Sequence, residues 1–131
     1  MEKNSAKYSV KISESSRELT KKERVALKDT SNAIRLDEAC EGAKLVIMPT
    51  GYVILEIEND ASEDKTYNNY IIFDKQGNKY VTGSGTFFNT FMEIWEEMYE
   101  GDDTEDFEIE IYKRDSKNYK GKQFITCSIV A

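Results

Sequence analysis

A chain of 131 residues suits one domain with a sizeable core, and 39% hydrophobic against 33% charged residues describes a highly charged globular protein. Its longest apolar runs, such as LVIM at 45–48, are far too short to cross a bilayer, and the start MEKNSAKYSVKIS holds no apolar signal region, so neither a membrane partner nor export is expected. The net charge of −7 argues against loose binding to duplex DNA, because the global field repels polyanions.

Residues 1–18 are a polar N-terminal extension in which Tyr8, Val10 and Ile12 alternate as in a short strand, and a single domain is expected over 19–131. Thr20 followed by Glu23 is a capping-box pattern and predicts a short helix through Val25, Ala26 and Leu27. Residues 30–42 stay open between a helix and an irregular segment, with Ala33, Ile34, Leu36, Ala39 and Cys40 available to a core. LVIM (45–48) and YVILEIE (52–58) are strand-forming runs separated by the turn signal PTG at 49–51. Asn59 and Asp60 are expected to end a strand, and Ser62, Glu63 and Asp64 to turn. NNYIIFD (68–74) and NKYVT (78–82) flank a Lys75-Gln76-Gly77 turn and predict a hairpin. Phe87, Phe88, Phe91, Ile94, Trp95 and Met98 recur at spacings of three and four, which predicts a helix with a core-facing stripe. Thr86 is placed to cap it and Gly101 to end it. FEIEIY (107–112) alternates strictly, and QFITCSIV (123–130) is the last strand.

Charge is placed unevenly. Between 93 and 110 stand ten acids and no base, whereas KRDSKNYKGK at 113–122 has five bases against Asp115, a local charge of +4. Tyr112, Tyr119 and Phe124 flank and interrupt the basic segment. Charge runs are usually solvated surface, so charge alone favours a solvated hairpin loop. The interleaved rings suggest single-stranded nucleic acid, where cations meet phosphates and rings stack on bases.

Catalytic signals are weak. The chain has no histidine, which removes the commonest general base and metal ligand. GSG at 83–85 lacks a P-loop lysine, and GDDTEDFE at 101–108 lacks the pattern of an EF-hand and reads as a solvated acidic loop. Cys40 and Cys127 fit no metal spacing and are expected to be reduced and buried. No cofactor is expected, and no enzymatic activity.

The expected fold is mainly β with one central helix. A helix between the third and fourth strands is the order of an OB-fold, a five-stranded Greek-key barrel, in which 113–122 would be the L45 loop beside the nucleic-acid-binding face. An SH3-like barrel or a mixed α+β sheet fits the same string. RELTKKERVALKDTSNAIRLDEA (17–39), EIENDASEDKTYNNYIIFDKQGNKYVTGSGTFFNTFMEI (56–94) and SKNYKGKQFITCSIV (116–130), well over half of the chain, carry a further signal. In these segments, and above all in YVTGS (80–84) followed by Phe87 or Phe88 and then SKNYKGK, the chain resembles the small single-stranded-DNA-binding proteins of phages and conjugative elements of Gram-positive bacteria. The resemblance implies an OB-type fold and sequence-tolerant coating of single-stranded DNA during replication or transfer, in the cytoplasm of the bacterial host. It implies no enzymatic activity. The partners expected are single-stranded DNA, further copies along the strand, and replication or transfer proteins. Many bacterial single-strand binders end in an acidic recruiting tail, whereas this chain ends in SIVA, so tail-mediated recruitment does not carry over.

The candidate binding residues are Tyr67, Tyr70, Lys79, Tyr112, Lys113, Arg114, Lys117, Tyr119, Lys120 and Lys122. Tyr119, inside a polar loop, is the foremost stacking candidate, and the cations are phosphate contacts. Lys65 extends the track. Tyr52, Tyr67, Tyr70, Phe73 and Tyr80 are equally open to a core role, since the wet face of their strands is not evident. An alternative reading takes the 93–110 acids as a nucleic-acid mimic that inhibits a basic host protein. A carboxylate–metal enzyme is the least supported class.

Overall fold

YVIL at 52–55 and YIIF at 70–73 are apolar at consecutive positions, and a strand with that pattern must bury both of its faces. The structure, a computed structural model, describes residues 8–61, 66–99, 105–116 and 121–130, and these two runs lie at the centre of its larger sheet. In chain order the elements are β1 (Tyr8–Ser15), α1 (Lys21–Leu27), a 3-10 turn (Thr30–Asn32), β2 (Ile34–Arg35), α2 (Leu36–Ala39), β3 (Leu45–Ile47) and β4 (Pro49–Asn59). There follow β5 (Thr66–Asp74), β6 (Lys79–Thr82), α3 (Gly85–Met98), β7 (Ile109–Asp115) and β8 (Gln123–Ile129). Five strands form one sheet in the order β1–β4–β5–β6–β2, and three form a second, β3–β7–β8.

Pairing register shows how the central strands are covered. Tyr52, Ile72 and Tyr80 stand in one row on one face; Val53, Ile71 and Val81 stand in a row on the other. The first row belongs to a large core that also takes in Phe87, Phe88 and Phe91 of α3 together with Ile109, Ile111, Ile125 and Cys127 of the smaller sheet. The second row packs with Leu27 of α1 and Leu55, against Val10, Ile12, Leu19, Ala33 and Phe73. Each side of the sheet therefore removes a full set of branched and aromatic side chains from water, at about 1.5–3 kcal/mol per fully buried residue.

The two sheets share one length of chain. Leu45–Ile47 pairs with β7, and after a break at Met48 the same run pairs with β5 from Pro49 onward. Pro49 has no N–H to offer a ladder and sits at the irregularity, where a missing donor does least harm. The Lys75 N–H donates to the Met48 carbonyl at 3.0 Å and ties the break to the β5–β6 turn. Gly77, at φ +88°, supplies the left-handed residue that turn requires.

Local signals are met in several elements. The Thr20–Glu23 capping box forms in full, and the Arg17 guanidinium holds the Glu23 carboxyl down to about 2, with the Thr20 N–H helping. The Tyr8, Val10, Ile12 alternation forms β1, antiparallel to β4. Cys40 and Cys127 are free and buried.

Other expectations are corrected. The helix content is not one central helix: α1 and α2 join α3 among the described residues. Residues 30–42 are a 3-10 turn, the short β2 parallel to β6, and α2. The reason is that Ala33 packs on one face of the sheet while Leu36 and Cys40 enter the core on the other, so the chain must cross the sheet edge at Ile34–Arg35. The cap of α3 is Ser84, whose hydroxyl accepts from the Phe87 N–H at 3.1 Å, and not Thr86, which lies inside the helix. That helix ends at Met98 with Tyr99 as its C-cap; Gly101 lies outside the described residues, as do Ser62, Glu63, Asp64 and Lys65. Among the described residues the strands make two open sheets: β6 has β5 and β2 as neighbours, and β8 is an edge. Finally, the basic segment is not all loop, because β7 runs to Asp115 and carries Lys113 and Arg114 within its ladder to β8.

The β5–β6 turn is organised by one buried carboxylate. Asp74 accepts from the Gln76 and Asn78 N–H groups at 3.0 and 2.8 Å, from the Asn78 side chain at 3.1 Å and from the Tyr80 hydroxyl at 3.0 Å. Burial works to raise this carboxyl, and the bonds outweigh it, holding it below its ordinary value. A depressed folded-state value means stabilisation that is complete above the unfolded carboxyl range and lost as pH falls through the folded one. Asp74→Asn should therefore cost about 1–3 kcal/mol near neutrality and flatten the acid limb of urea stability below about pH 4. An acid limb equal to that of the parent chain would show that other carboxylates govern it.

Candidate functional site

The strict alternation of FEIEIY leaves the β7–β8 hairpin with one dry and one wet face. Ile109, Ile111, Ile125 and Cys127 enter the core, and burial pushes the Cys127 thiol up to about 12. Glu110, Tyr112 and Arg114 point the other way, opposite Ser128, Thr126 and Phe124 respectively. The Ser116 N–H closes the hairpin on the Lys122 carbonyl at 2.9 Å, with Gly121 at φ +82°.

On the wet face the Tyr112 and Ser128 hydroxyls are 2.7 Å apart, which fixes the ring against the sheet. Lys44, just before β3, places its Nζ 5.2 Å from the Tyr112 ring centroid and 3.4 Å from Glu110 Oε1. Phe124 is 37% exposed beside Arg114, which has no carboxylate partner among the described residues. An exposed ring and an exposed guanidinium thus stand side by side on an edge hairpin.

Lys113 lies at the end of the dry face, where the core gives out. Its Nζ donates to Glu41 Oε2 at 2.7 Å, and that bond raises the ammonium above its ordinary value, keeping it charged. Lys113 and Gln123 border two clefts. One, of about 440 Å³, is lined by the 40–44 turn and Tyr112; the other, of about 600 Å³, by Arg35, Asp37, Asn69, Gly83, Ser84, Phe124 and Ile125. Gly83 and Ser84 bring the N-terminus of α3, with its partial positive charge, to the wall of the second cleft. The cations of both clefts are countered: Lys113 by Glu41, Lys44 by Glu110, and Arg35 by Glu38 at 3.8 Å. These are solvent-screened surface pairs, which contribute little, so a phosphate can exchange with each carboxylate at little cost.

Of the sequence candidates, Tyr112, Lys113 and Arg114 come together, with Lys122 exposed at the hairpin end. Lys117, Tyr119 and Lys120 lie outside the described residues. The others are elsewhere. Tyr70 faces the core, its ring stacked on Phe88 at 4.2 Å and 13°. Tyr67 lies on the opposite face of the sheet, across from Ile57, and Lys79 lies across from Phe73, about 20 Å farther along β5 at the strand rise per residue. Neither joins the hairpin cluster.

Sequence reasoning missed Gln123, the first residue of β8, and it missed Lys44 and Arg35, which reach the site through the β3–β7 and β2–β6 pairings. No local pattern announces those. Phe124 was legible as a flanking ring: it shares its face with Thr126 and Ser128, the polar side of the last strand. Comparison with protein-family models, with curated proteins and with solved structures finds no match to this chain.

Because Arg114 and Phe124 are on the wet face, Arg114→Ala and Phe124→Ala should each lie within about 1 kcal/mol of the parent chain in urea unfolding. A much larger loss would mean that these side chains are structural.

Proposed function

We propose that the protein binds single-stranded DNA through the wet face of the β7–β8 hairpin and the clefts beside Lys113. The observation that carries this reading is the grouping of Tyr112, Arg114 and Phe124 on one face, with Lys44 at the Tyr112 ring. Exposed rings can stack on unpaired bases, and a guanidinium can lie flat on a base or meet a phosphate. Lys44, Lys113 and Arg35 supply phosphate contacts by exchanging their carboxylate partners. In a duplex the bases are already stacked on one another, and the net charge of −7 opposes a long-range attraction, so duplex DNA gains little.

The order of elements supports an OB-type arrangement. A meander (β4–β5–β6), a helix (α3) and a hairpin (β7–β8) follow one another, and the run 45–59 pairs with strands of both sheets. In that arrangement the β7–β8 connection is the L45 loop, a customary nucleic-acid contact. The resemblance to single-strand binders of Gram-positive phages and conjugative elements points the same way, towards a non-catalytic coating protein in replication or transfer.

Fluorescence anisotropy with a labelled single strand and its duplex, over a salt series, tests the reading. Single-strand binding should weaken with salt at a slope of about −2 to −3, from three or four phosphate contacts at about −0.7 each. Arg114→Ala combined with Phe124→Ala should weaken it by about tenfold or more, the worth of one lost stack. Binding that the double variant leaves unchanged would remove the hairpin from the mechanism, and no single-strand binding at low salt would overturn the function.

A further inference from the structure

The α3 helix borders a second groove that shares no residue with the hairpin clefts. Helical spacing aligns Met92, Trp95, Glu96 and Tyr99, while Tyr52 comes from β4 and Glu14 from β1; together they line an open groove of about 510 Å³. Trp95 stacks on Tyr99 with ring centroids 4.1 Å apart, and Tyr52 meets Trp95 edge-on at 5.6 Å. Met92, Trp95 and Tyr99 are half-buried; Glu14 and Glu96 are exposed at the rim. The Tyr52 hydroxyl donates to Glu14 Oε2 at 2.8 Å, which anchors one rim carboxylate against the rings. Burial, that bond and the negative charges of Glu14 and Glu96 push the Tyr52 phenol up to about 12. Among the described residues no cationic side chain lines the groove, and Glu93 and Glu97 extend the acidic surface along the helix.

An aromatic floor under an anionic rim selects its occupant by charge. A phosphate backbone is repelled. An ammonium gains from the carboxylates, but its tight hydration shell opposes burial among rings. An arginine guanidinium is weakly hydrated, has flat faces that lie against aromatic carbon, and has edge N–H donors for two carboxylates. We propose that this groove docks an arginine side chain presented by a basic segment of a partner protein. The proposal uses none of the hairpin residues, so it and the single-strand reading can fail separately.

Trp95 is the single tryptophan of the chain and lies in the groove wall, so its fluorescence reports occupancy directly. The full chain is titrated with a short peptide of alternating Arg and Gly, and with the same peptide carrying neutral citrulline for Arg. A saturable Trp95 change with the Arg peptide is expected, with affinity lower by about fivefold or more for citrulline and for Glu14→Gln combined with Glu96→Gln. The Glu14→Gln change leaves a neutral amide oxygen to accept from the Tyr52 hydroxyl, and circular dichroism checks that the double variant keeps its fold. Absence of a saturable change overturns the proposal. So does equal binding of the citrulline peptide, or unaltered affinity in the double variant. A larger Trp95 response to a single-stranded oligonucleotide than to the Arg peptide would overturn it too, by assigning the groove to bases.

Discussion

The structure depends on the double-sided burial of β4 and β5. Val53, Leu55 and Ile71 cannot be left in water, and neither can Tyr52 and Ile72 on the opposite face. Something must lie against each side of the central sheet. On one side it is α1 with the segments around Leu19 and Ala33; on the other it is α3 with the β3–β7–β8 sheet. The break at Met48 and Pro49 makes the second covering possible, because it lets one run of chain leave the large sheet and pair with β7.

That constraint also decides where a binding face can be. Burial decides which rings are left for single strands at the hairpin: Tyr70 faces the core, its ring stacked on Phe88, whereas Tyr112 stands on the wet face of β7. The smaller sheet is covered on one side only. Its outer face keeps the polar half of two alternating strands, and there Arg114 and Phe124 meet. Electrostatics sharpen the division. The cations around Lys113 are held by exposed, exchangeable carboxylates, whereas the groove around Trp95 is lined by carboxylates and, among the described residues, by no cation. A chain of net charge −7 thus presents two surfaces of different electrostatic character.

Elements governed by neighbours in sequence were legible. The apolar stripe of α3, the Thr20–Glu23 box and the Lys75-Gln76-Gly77 turn each carry their reason within a few residues. The path through 30–42 was not, because it is set by which side of a distant sheet accepts Ala33 and which accepts Leu36. The same distinction divides the site. Tyr112, Lys113 and Arg114 are consecutive and visible as a basic run with a ring, while Lys44 and Arg35 arrive by pairings between segments far apart in the chain. Tyr67 and Tyr70 sit three residues apart on one strand and so cannot share a face; only the packing of Phe88 showed which of them faces the large core.

Amide chemical-shift mapping during titration with a single-stranded oligonucleotide tests the central claim most directly. Shifts concentrated at Tyr112–Arg114, at Gln123–Thr126 and at Lys44, with Trp95 and Tyr99 unmoved, are the result this account predicts. A silent hairpin with shifts centred on Tyr52, Trp95 and Tyr99 would contradict it.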